Sequence, residues 1–192
     1  MDNFSNLNIV EEKFLTLLAK FAPTDKKLIM EAVEVMKTKH KGQLRDEGTA
    51  YEIHPIRIAT TLIETLEMRD KDTIIAALLH DAIEDTNLTL EEIKKLFGGK
   101  VADMVSTLTR DKEQETKQEK FEKTLKADLN TRTIKVCDWL DNMRSWKYIQ
   151  EDSAAYSKLP RWKSEAKTMY IPLAETVNQK IADEMESLLL MM

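Results

Sequence analysis

The sequence predicts an all-α protein, a single-domain helical bundle, and three observations support this fold class. Apolar residues recur at intervals of three and four along most of the chain, which is the spacing of one helix face. Glycine and proline are scarce, with four of each, so a turn-rich β-sandwich is not expected. No segment alternates apolar and polar residues in the way that indicates a strand. The length of 192 residues suits one domain over residues 1–192.

Two amphipathic helices are predicted at the N-terminal end. Residues 9–21 carry apolar side chains at helical spacing, and Pro23 then interrupts the pattern. Residues 25–41 continue with the same period, for example at Ile29. Residues 42–53 are polar and contain glycine, so this stretch is predicted to be a loop.

The third and fourth helices carry the centre of the predicted fold. His54 and Pro55 open the third helix, because proline is tolerated in a first turn, and this helix is expected to end near Arg69. Residues 73–83 are apolar almost all round, which indicates a central helix enclosed by other helices.

Residues 89–128 contain one clearly marked helix, a second short helix and a charged segment with a weaker helical pattern. Thr89 and Glu92 have the spacing of a capping box at a helix start, and Gly98 marks the end of that helix. A short helix is predicted over residues 101–108. Residues 110–128 are rich in both charges and poor in apolar residues, which is typical of a solvated helix or a mobile flap.

The C-terminal third regains a clear helical pattern. An apolar stripe over residues 131–149 predicts a long helix, and Pro160 and Pro172 punctuate two last helical segments. Residues 188–192 are apolar and indicate a protein interface, which leaves both a monomer and a homo-oligomer open.

Composition excludes several classes of protein. The net charge is −5 and the pI is about 5.4, so an extended nucleic acid is not an expected partner. The single cysteine, Cys137, excludes an internal disulfide and favours a reducing compartment such as the cytoplasm. The first eight residues carry an early acid and no long apolar run, so neither a signal peptide nor a membrane anchor is expected.

Asp81 is the most informative residue, because it interrupts an otherwise apolar helix. A buried carboxylate costs several kcal/mol unless a cation or a donor compensates it. His80 precedes it, and Glu84 and Asp85 follow at four-residue spacing, which predicts an imidazole and three carboxylates on neighbouring rows of one helix. A divalent cation would relieve the repulsion, and this mixture of ligands suits Mn²⁺, Fe²⁺ or Zn²⁺ better than Ca²⁺.

Ordered motifs extend this cluster over residues 40–144. The sequence reads HKGQLR from His40, GTAYEIHP from Gly48, AALLHDAIEDT from Ala76 and IKVCDWLDNMR from Ile134, with Phe97, Gly98 and Val101 between the last two. In these blocks the chain resembles the HD phosphohydrolase superfamily, specifically the hydrolase domain of the Rel/Spo group and the small stand-alone alarmone hydrolases.

The resemblance implies a fold, a metal and a reaction. It implies an HD-type helical bundle whose four metal ligands, normally for manganese, are His54, His80, Asp81 and Asp138. Glu84 and Asp85 match the catalytic acidic pair, and Arg45 and Asn142 match positions that contact the nucleotide. The implied reaction is hydrolysis of the 3′-pyrophosphate of the small nucleotides ppGpp or pppGpp, with release of pyrophosphate.

Three departures from the family pattern keep other substrates open. Asp46 and Trp139 stand where basic residues are usual, and Ala50 replaces a common proline. The alternatives are a related hydrolase acting on the 2′-phosphate of NADPH or on a pyrophosphorylated tRNA end, or a non-catalytic nucleotide-binding HD module. Lysines of residues 112–126 would restore positive charge if that segment folds over the site.

Overall fold

The structure, a computed structural model, describes residues 3–191, and its architecture confirms the all-α prediction. Within these residues the one strand-like pairing is an isolated antiparallel bridge between Leu44 and Ala50. Met1, Asp2 and Met192, at the ends of the predicted domain and of the apolar tail, lie outside the described residues. The helices are α1 Leu7–Leu17, α2 Pro23–Lys39, α3 Ile53–Glu64, α4 Lys71–Leu79, α5 Ala82–Asp85, α6 Leu90–Phe97, α7 Gly99–Leu108, α8 Lys117–Leu125, α9 Leu129–Ser145, α10 Leu159–Glu165, α11 Ile171–Glu175 and α12 Gln179–Leu190.

Helix α4 is the centre of the bundle. It packs against α2, α3, α7 and α9, and every residue from Thr73 to Leu79 is buried. Such burial requires a helix that is apolar on all sides, which is what the sequence supplies. The core therefore surrounds the helix whose C-terminal end carries the candidate site.

The prediction of one continuous helix over residues 73–83 is wrong. Helix α4 ends at Leu79, His80 and Asp81 form a turn, and the short helix α5 follows. The His80 ring donates from Nδ1 to the carbonyl oxygen of Ala77 at 2.9 Å, which gives this carbonyl a side-chain partner near the helix end. The two candidate ligands thus lie in a turn and not on a regular helix face.

Helix α3 ends earlier than predicted, at a turn around Glu67. Pro55 lies in its first turn, as predicted, but the helix ends at Glu64 and not near Arg69. Met68 donates its backbone N–H to Leu62 across the end, and Glu67 has a φ of +53°. Helices commonly end at a residue in the left-handed conformation that is followed by a backbone bond of this kind. Glycine usually occupies the left-handed position, so a glutamate there gave no signal in the sequence.

Capping residues start two of the surface helices. At α6 the Thr89 hydroxyl accepts from the Glu92 N–H at 3.2 Å, and the Glu92 carboxylate accepts from the Thr89 N–H at 2.8 Å, as the capping box predicts. Gly98, with a φ of +92°, then separates α6 from α7. Thr116 and Glu119 form a second capping box at α8 that we did not predict.

The charged segment 110–128 forms a loop followed by α8, and this helix has one buried face. Lys120 is only 6% exposed, and its ammonium donates to the carbonyl oxygens of Thr107 and Thr109 at the end of α7. Burial, reinforced by the charges of Lys123 and Lys135, lowers the pKa of Lys120 to about 7. The segment is therefore attached to the bundle through α7 and α9.

The C-terminal helices differ from the prediction in detail. Pro160 and Pro172 lie in the first turns of α10 and α11, but five residues of π-helix join these two helices. Leu190 and Met191 are 88% and 81% exposed. Within residues 3–191 we find no helix that combines the length and the apolar character needed to cross a membrane.

We expect Thr89→Ala to lower the free energy of unfolding by about 1 kcal/mol, because it removes the hydroxyl that accepts from the N–H of Glu92. The measurement is urea unfolding followed by circular dichroism. Thr38→Ala is the matched control: Thr38 is exposed inside α2, where alanine favours the helix, so stability should stay equal or rise. Equal losses in both variants would contradict the role of the cap.

Candidate metal centre

Three separate parts of the fold bring the four predicted metal ligands together. His54 lies in the first turn of α3, His80 and Asp81 form the turn after α4, and Asp138 lies in the middle of α9. His54, His80 and Asp81 offer ligand atoms that all lie within 4.8 Å of one another. Asp138 Oδ1 lies 3.2 Å from His54 Nε2 and 3.8 Å from His80 Nε2. These distances would allow one ion to contact several of these side chains.

The His54 ring is oriented by a carboxylate behind it. Its Nδ1 donates to Asp141 Oδ2 at 2.6 Å, so the neutral ring carries its proton on this nitrogen. The lone pair of Nε2 then faces Asp138 and Asp81, whose oxygens lie 3.2 and 3.9 Å away. This arrangement of carboxylate, imidazole and open nitrogen is typical of histidines that bind metals.

The His80 ring is fixed in the same way by a backbone carbonyl. Because Nδ1 donates to Ala77, Nε2 of the neutral ring presents a lone pair toward Asp81 Oδ2 at 2.9 Å. His80 Nε2 is buried and makes no hydrogen bond within the described residues. A lone pair and a carboxylate oxygen repel each other at this distance, so a cation fits between them.

The charges around His80 also favour a cation. Burial opposes the charged form of this ring, but the negative charges of Asp81 and Asp138 outweigh burial and raise the pKa of His80 to about 10. Without a metal ion, a proton on His80 would supply the missing positive charge. The donor set of two imidazoles and nearby carboxylates therefore fits a divalent ion.

Asp138 has two partners in addition to the histidines. Its Oδ2 accepts from the Lys135 ammonium at 2.8 Å, and its Oδ1 accepts from the Asn142 amide at 2.7 Å. Burial opposes ionisation of this carboxyl, but Lys135 and both histidines hold its pKa well below the usual value. Asp138 is thus a firmly ionised carboxylate at the edge of the cluster.

Glu84 and Asp85 lie in α5, which follows the turn of His80 and Asp81. The Lys112 ammonium is 3.3 Å from a carboxylate oxygen of each, and the backbone N–H of Arg110 donates to Glu84 at 3.1 Å. Burial and the charge of Asp81 raise the pKa of Asp85, while Lys112 opposes this shift. The predicted four-residue relation of Asp81 and Asp85 persists, because the Asp85 N–H donates to the Asp81 carbonyl oxygen at 2.9 Å, whereas the Glu84 carboxylate contacts the loop after α7.

A cavity of about 340 Å³ opens beside Asp81 and His54. Arg45 and Asn142, the predicted nucleotide contacts, line it and are joined to each other at 2.8 Å. Arg45 also donates to Glu47 at 2.8 Å, and its side chain is buried. The remaining wall is largely aromatic and includes Trp139, which stacks on Tyr170 outside the cavity.

A lysine partly offsets one of the two departures from basic residues. Asp46 pairs with Lys158 at 3.4 Å on the rim of the cavity. Lys112, from the charged segment, reaches the acidic pair as described above. The charged segment thus brings one ammonium to Glu84 and Asp85, and none of its residues lines the cavity described above.

A model of the family described as the HD domain matches residues 32–178, which is more than half of the chain. The chain belongs to the HD-domain family. The first predicted motif at His40 and the last at Arg144 both lie inside the matched range.

Curated bacterial relatives of this HD-domain chain are much longer proteins. A guanosine-3′,5′-bis(diphosphate) 3′-pyrophosphohydrolase from Aquifex aeolicus is 37% identical over 185 residues, which cover 92% of this chain and 25% of that protein. The bifunctional (p)ppGpp synthase/hydrolase SpoT from Escherichia coli is 34% identical over 189 residues, with coverages of 92% and 26%. The chain therefore spans about a quarter of the length of these relatives.

Smaller HD-domain proteins match over more of their own length. The guanosine-3′,5′-bis(diphosphate) 3′-pyrophosphohydrolase MESH1 from Drosophila melanogaster is 37% identical over 120 residues, covering 60% of this chain and 67% of that protein. A solved structure described as a metazoan ortholog of SpoT that hydrolyzes ppGpp is 27% identical. It covers 84% of this chain and 93% of that chain, with a TM-score of 0.75.

Sequence reasoning missed several residues that hold the HD site together. Tyr51 donates its hydroxyl to Asp81, and Lys135 and Asp141 contact Asp138 and His54 respectively. Lys135 and Asp141 stand three residues before and after Asp138, so their helical spacing was an available signal. Tyr51 lies in a loop, where spacing does not predict contacts.

Cys137 is expected to resist thiol reagents in the folded protein. It is 1% exposed, and burial raises the pKa of its thiol to about 12, so only about one thiol in ten thousand is ionised near pH 8. A disulfide reagent such as DTNB should titrate one thiol in urea and essentially none in buffer. Rapid reaction in buffer would show that the thiol is accessible, against this description.

Proposed function

We propose that this chain is a metal-dependent phosphohydrolase that removes the 3′-pyrophosphate of guanosine 3′,5′-bis(diphosphate) or its pentaphosphate and releases pyrophosphate. The observation that carries the proposal is the pair of fixed imidazoles whose Nε2 atoms face Asp81 and Asp138 beside an open cavity. The relatives named above support the substrate, because their names specify this 3′-pyrophosphohydrolase activity.

The proposed metal ligands are His54, His80, Asp81 and Asp138, with Mn²⁺ as the proposed ion and Fe²⁺ or Zn²⁺ as alternatives. Two neutral imidazoles and two carboxylates balance the charge of a divalent ion. When bound, such an ion would polarise a phosphate oxygen and make a water molecule more acidic. Asp138 Oδ1 accepts from the Asn142 amide at 2.7 Å and has a second lone pair with which it could join the set.

We assign the acid and base work to Glu84 and Asp85. Burial and the charge of Asp81 raise the pKa of Asp85, which favours this carboxyl as the group that donates a proton to the departing oxygen. Glu84, held by Lys112 and by the backbone of Arg110, is suited to accept a proton from the attacking water. Lys112 would move toward the phosphates of the substrate, because their charge exceeds that of either carboxylate.

The cavity supplies the contacts that we propose for the nucleotide. Arg45 and Asn142 present hydrogen-bonding groups on one side, and tryptophan side chains present flat apolar surface for a base. The chain is accordingly proposed to act on a small nucleotide in the cytoplasm, where a single buried thiol such as Cys137 stays reduced.

A substrate panel tests the proposed function. Metal-free protein and protein loaded with Mn²⁺, Fe²⁺ or Zn²⁺ are incubated with ppGpp, NADPH and 3′-pyrophosphorylated tRNA, and pyrophosphate and phosphate are measured separately. We expect pyrophosphate from ppGpp with the loaded protein only. Phosphate from NADPH or pyrophosphate from tRNA alone would identify a different substrate. The absence of all products would indicate a non-catalytic binding module.

Two substitutions are expected to separate metal binding from chemistry. Asp81→Asn should abolish both tight metal binding and activity, because the amide removes the ionised oxygen 2.9 Å from His80 Nε2 and leaves Asp138 as the one carboxylate of the proposed ligand set. Glu84→Gln should retain the metal but lower kcat by about 100-fold or more, since proton transfer contributes about that much. Metal content by emission spectroscopy and initial rates give the two readouts. Full activity in either variant would contradict the assigned roles.

A further inference from the structure

Arg57 is a buried cation to which the proposed hydrolysis assigns no role. It lies in α3, one turn after His54, and is 6% exposed. Its guanidinium donates from Nε to Asp141 Oδ1 at 2.7 Å and from Nη2 to Asp141 Oδ2 at 2.8 Å. Two parallel hydrogen bonds of this kind fix the plane of a carboxylate as well as its position.

Asp141 transmits this orientation to the metal centre. The same Oδ2 that accepts from Arg57 also accepts from His54 Nδ1 at 2.6 Å. A carboxylate oxygen can only accept here, so the neutral His54 ring must carry its proton on Nδ1 and keep the Nε2 lone pair free. The other tautomer would place a lone pair against Asp141 and a proton against Asp138.

Phe4 contacts the Arg57 guanidinium through both its carbonyl oxygen and its ring. Its carbonyl oxygen accepts from Arg57 Nη1 at 3.0 Å, and the guanidinium carbon lies 3.8 Å from the centre of its ring. The aromatic ring covers the guanidinium by a cation–π contact, which is strongest where water is excluded. All three nitrogens of Arg57 are therefore engaged, two by Asp141 and one by Phe4.

We propose that Arg57 is a positioning residue for the metal centre, and that the contacts Phe4 to Arg57 to Asp141 to His54 form one orienting chain. This inference rests on the proposed function only in taking His54 as a metal ligand. Arg57 is not among the residues that line the cavity or offer coordinating atoms; its closest contacts go to Asp141, and Glu47 of the cavity wall lies 3.9 Å away. Arg57 thus acts through Asp141. The N-terminal segment thereby contributes to the strength of metal binding.

Arg57→Lys is the decisive substitution, because lysine keeps the charge but cannot form the two parallel bonds. We expect the affinity for Zn²⁺, measured by competition with a chromogenic chelator, to fall about 10- to 100-fold. Arg144→Lys is the matched control: Arg144 forms an equivalent pair of bonds with Glu184, at 2.7 and 2.9 Å, and it also donates to Thr61 and not to Asp141. Its affinity for Zn²⁺ should equal that of the parent.

Ring nitrogen NMR provides a readout that a general loss of stability would not change. The chain has three histidines, so the His54 resonances can be assigned with few variants. In the Zn²⁺-loaded parent we expect a His54 Nδ1 proton that exchanges slowly with solvent. In Arg57→Lys this proton should exchange at least tenfold faster. Unchanged exchange together with unchanged affinity would overturn the proposal.

Phe4→Ala tests the outer end of the chain without altering a buried charge. We expect a two- to fivefold loss of Zn²⁺ affinity, of the size of one cation–π contact, and near-complete recovery in Phe4→Tyr.

If Arg57→Lys does not fold, the two Phe4 variants test the proposal by themselves. Equal Zn²⁺ affinities in the parent, Phe4→Ala and Phe4→Tyr would then refute the orienting chain. Metal binding without any hydrolysis would refute the proposed function and leave this inference intact. A parent protein that binds none of the three metals would refute both.

Discussion

The whole site depends on the compensation of negative charge buried among apolar helices. Asp138 and Asp141 are 5% and 1% exposed, and Asp81 lies beside them between α4 and α5. An isolated buried carboxylate costs several kcal/mol, so each needs a specific partner. Arg57 compensates Asp141 and Lys135 compensates Asp138. Asp81 has the Tyr51 hydroxyl and the two imidazoles, and for this carboxylate a metal ion is the fitting partner.

The bundle creates this situation through its central helix. Helix α4 is enclosed by four other helices, so whatever follows its last residue begins inside the protein. His80 and Asp81 occupy that point, where the regular helix stops and its side chains can turn toward α3 and α9. In this turn both ligands face His54 and Asp138, although consecutive residues of a regular helix would point about 100° apart. The same apolar enclosure strengthens every charge interaction at the site.

Much of this arrangement could be predicted from the sequence. The all-α fold, the buried central helix and the capping box at Thr89 follow from periodicity and from local chemistry that needs no long-range contact. The convergence of His54, His80, Asp81 and Asp138 was predictable because their motifs occur together in order. The helix break at His80 was not, since propensity favours continuation through Ala82 and Ile83 and the competing bond to Ala77 is a side-chain choice. The Glu67 turn was concealed for a similar reason, because a non-glycine residue rarely adopts positive φ.

Contacts between segments distant in the sequence were also not predicted. The sequence does not reveal the partner of Arg57, and only the fold shows that Asp141, 84 residues later, receives its hydrogen bonds. Burial of Lys120 against the end of α7 was equally hidden, because a charged run usually indicates a solvated face. Pairings of this kind depend on tertiary geometry, to which a single sequence gives no direct access.

All three tryptophans of the chain, at positions 139, 146 and 162, line the cavity beside His54 and Asp81. Indole emission responds to the polarity and stacking of its immediate surroundings, and no tryptophan elsewhere in the chain contributes background. The protein consequently carries a built-in optical reporter of whatever enters this space. Occupancy of the cavity can be followed in unlabelled protein, in real time and independently of turnover.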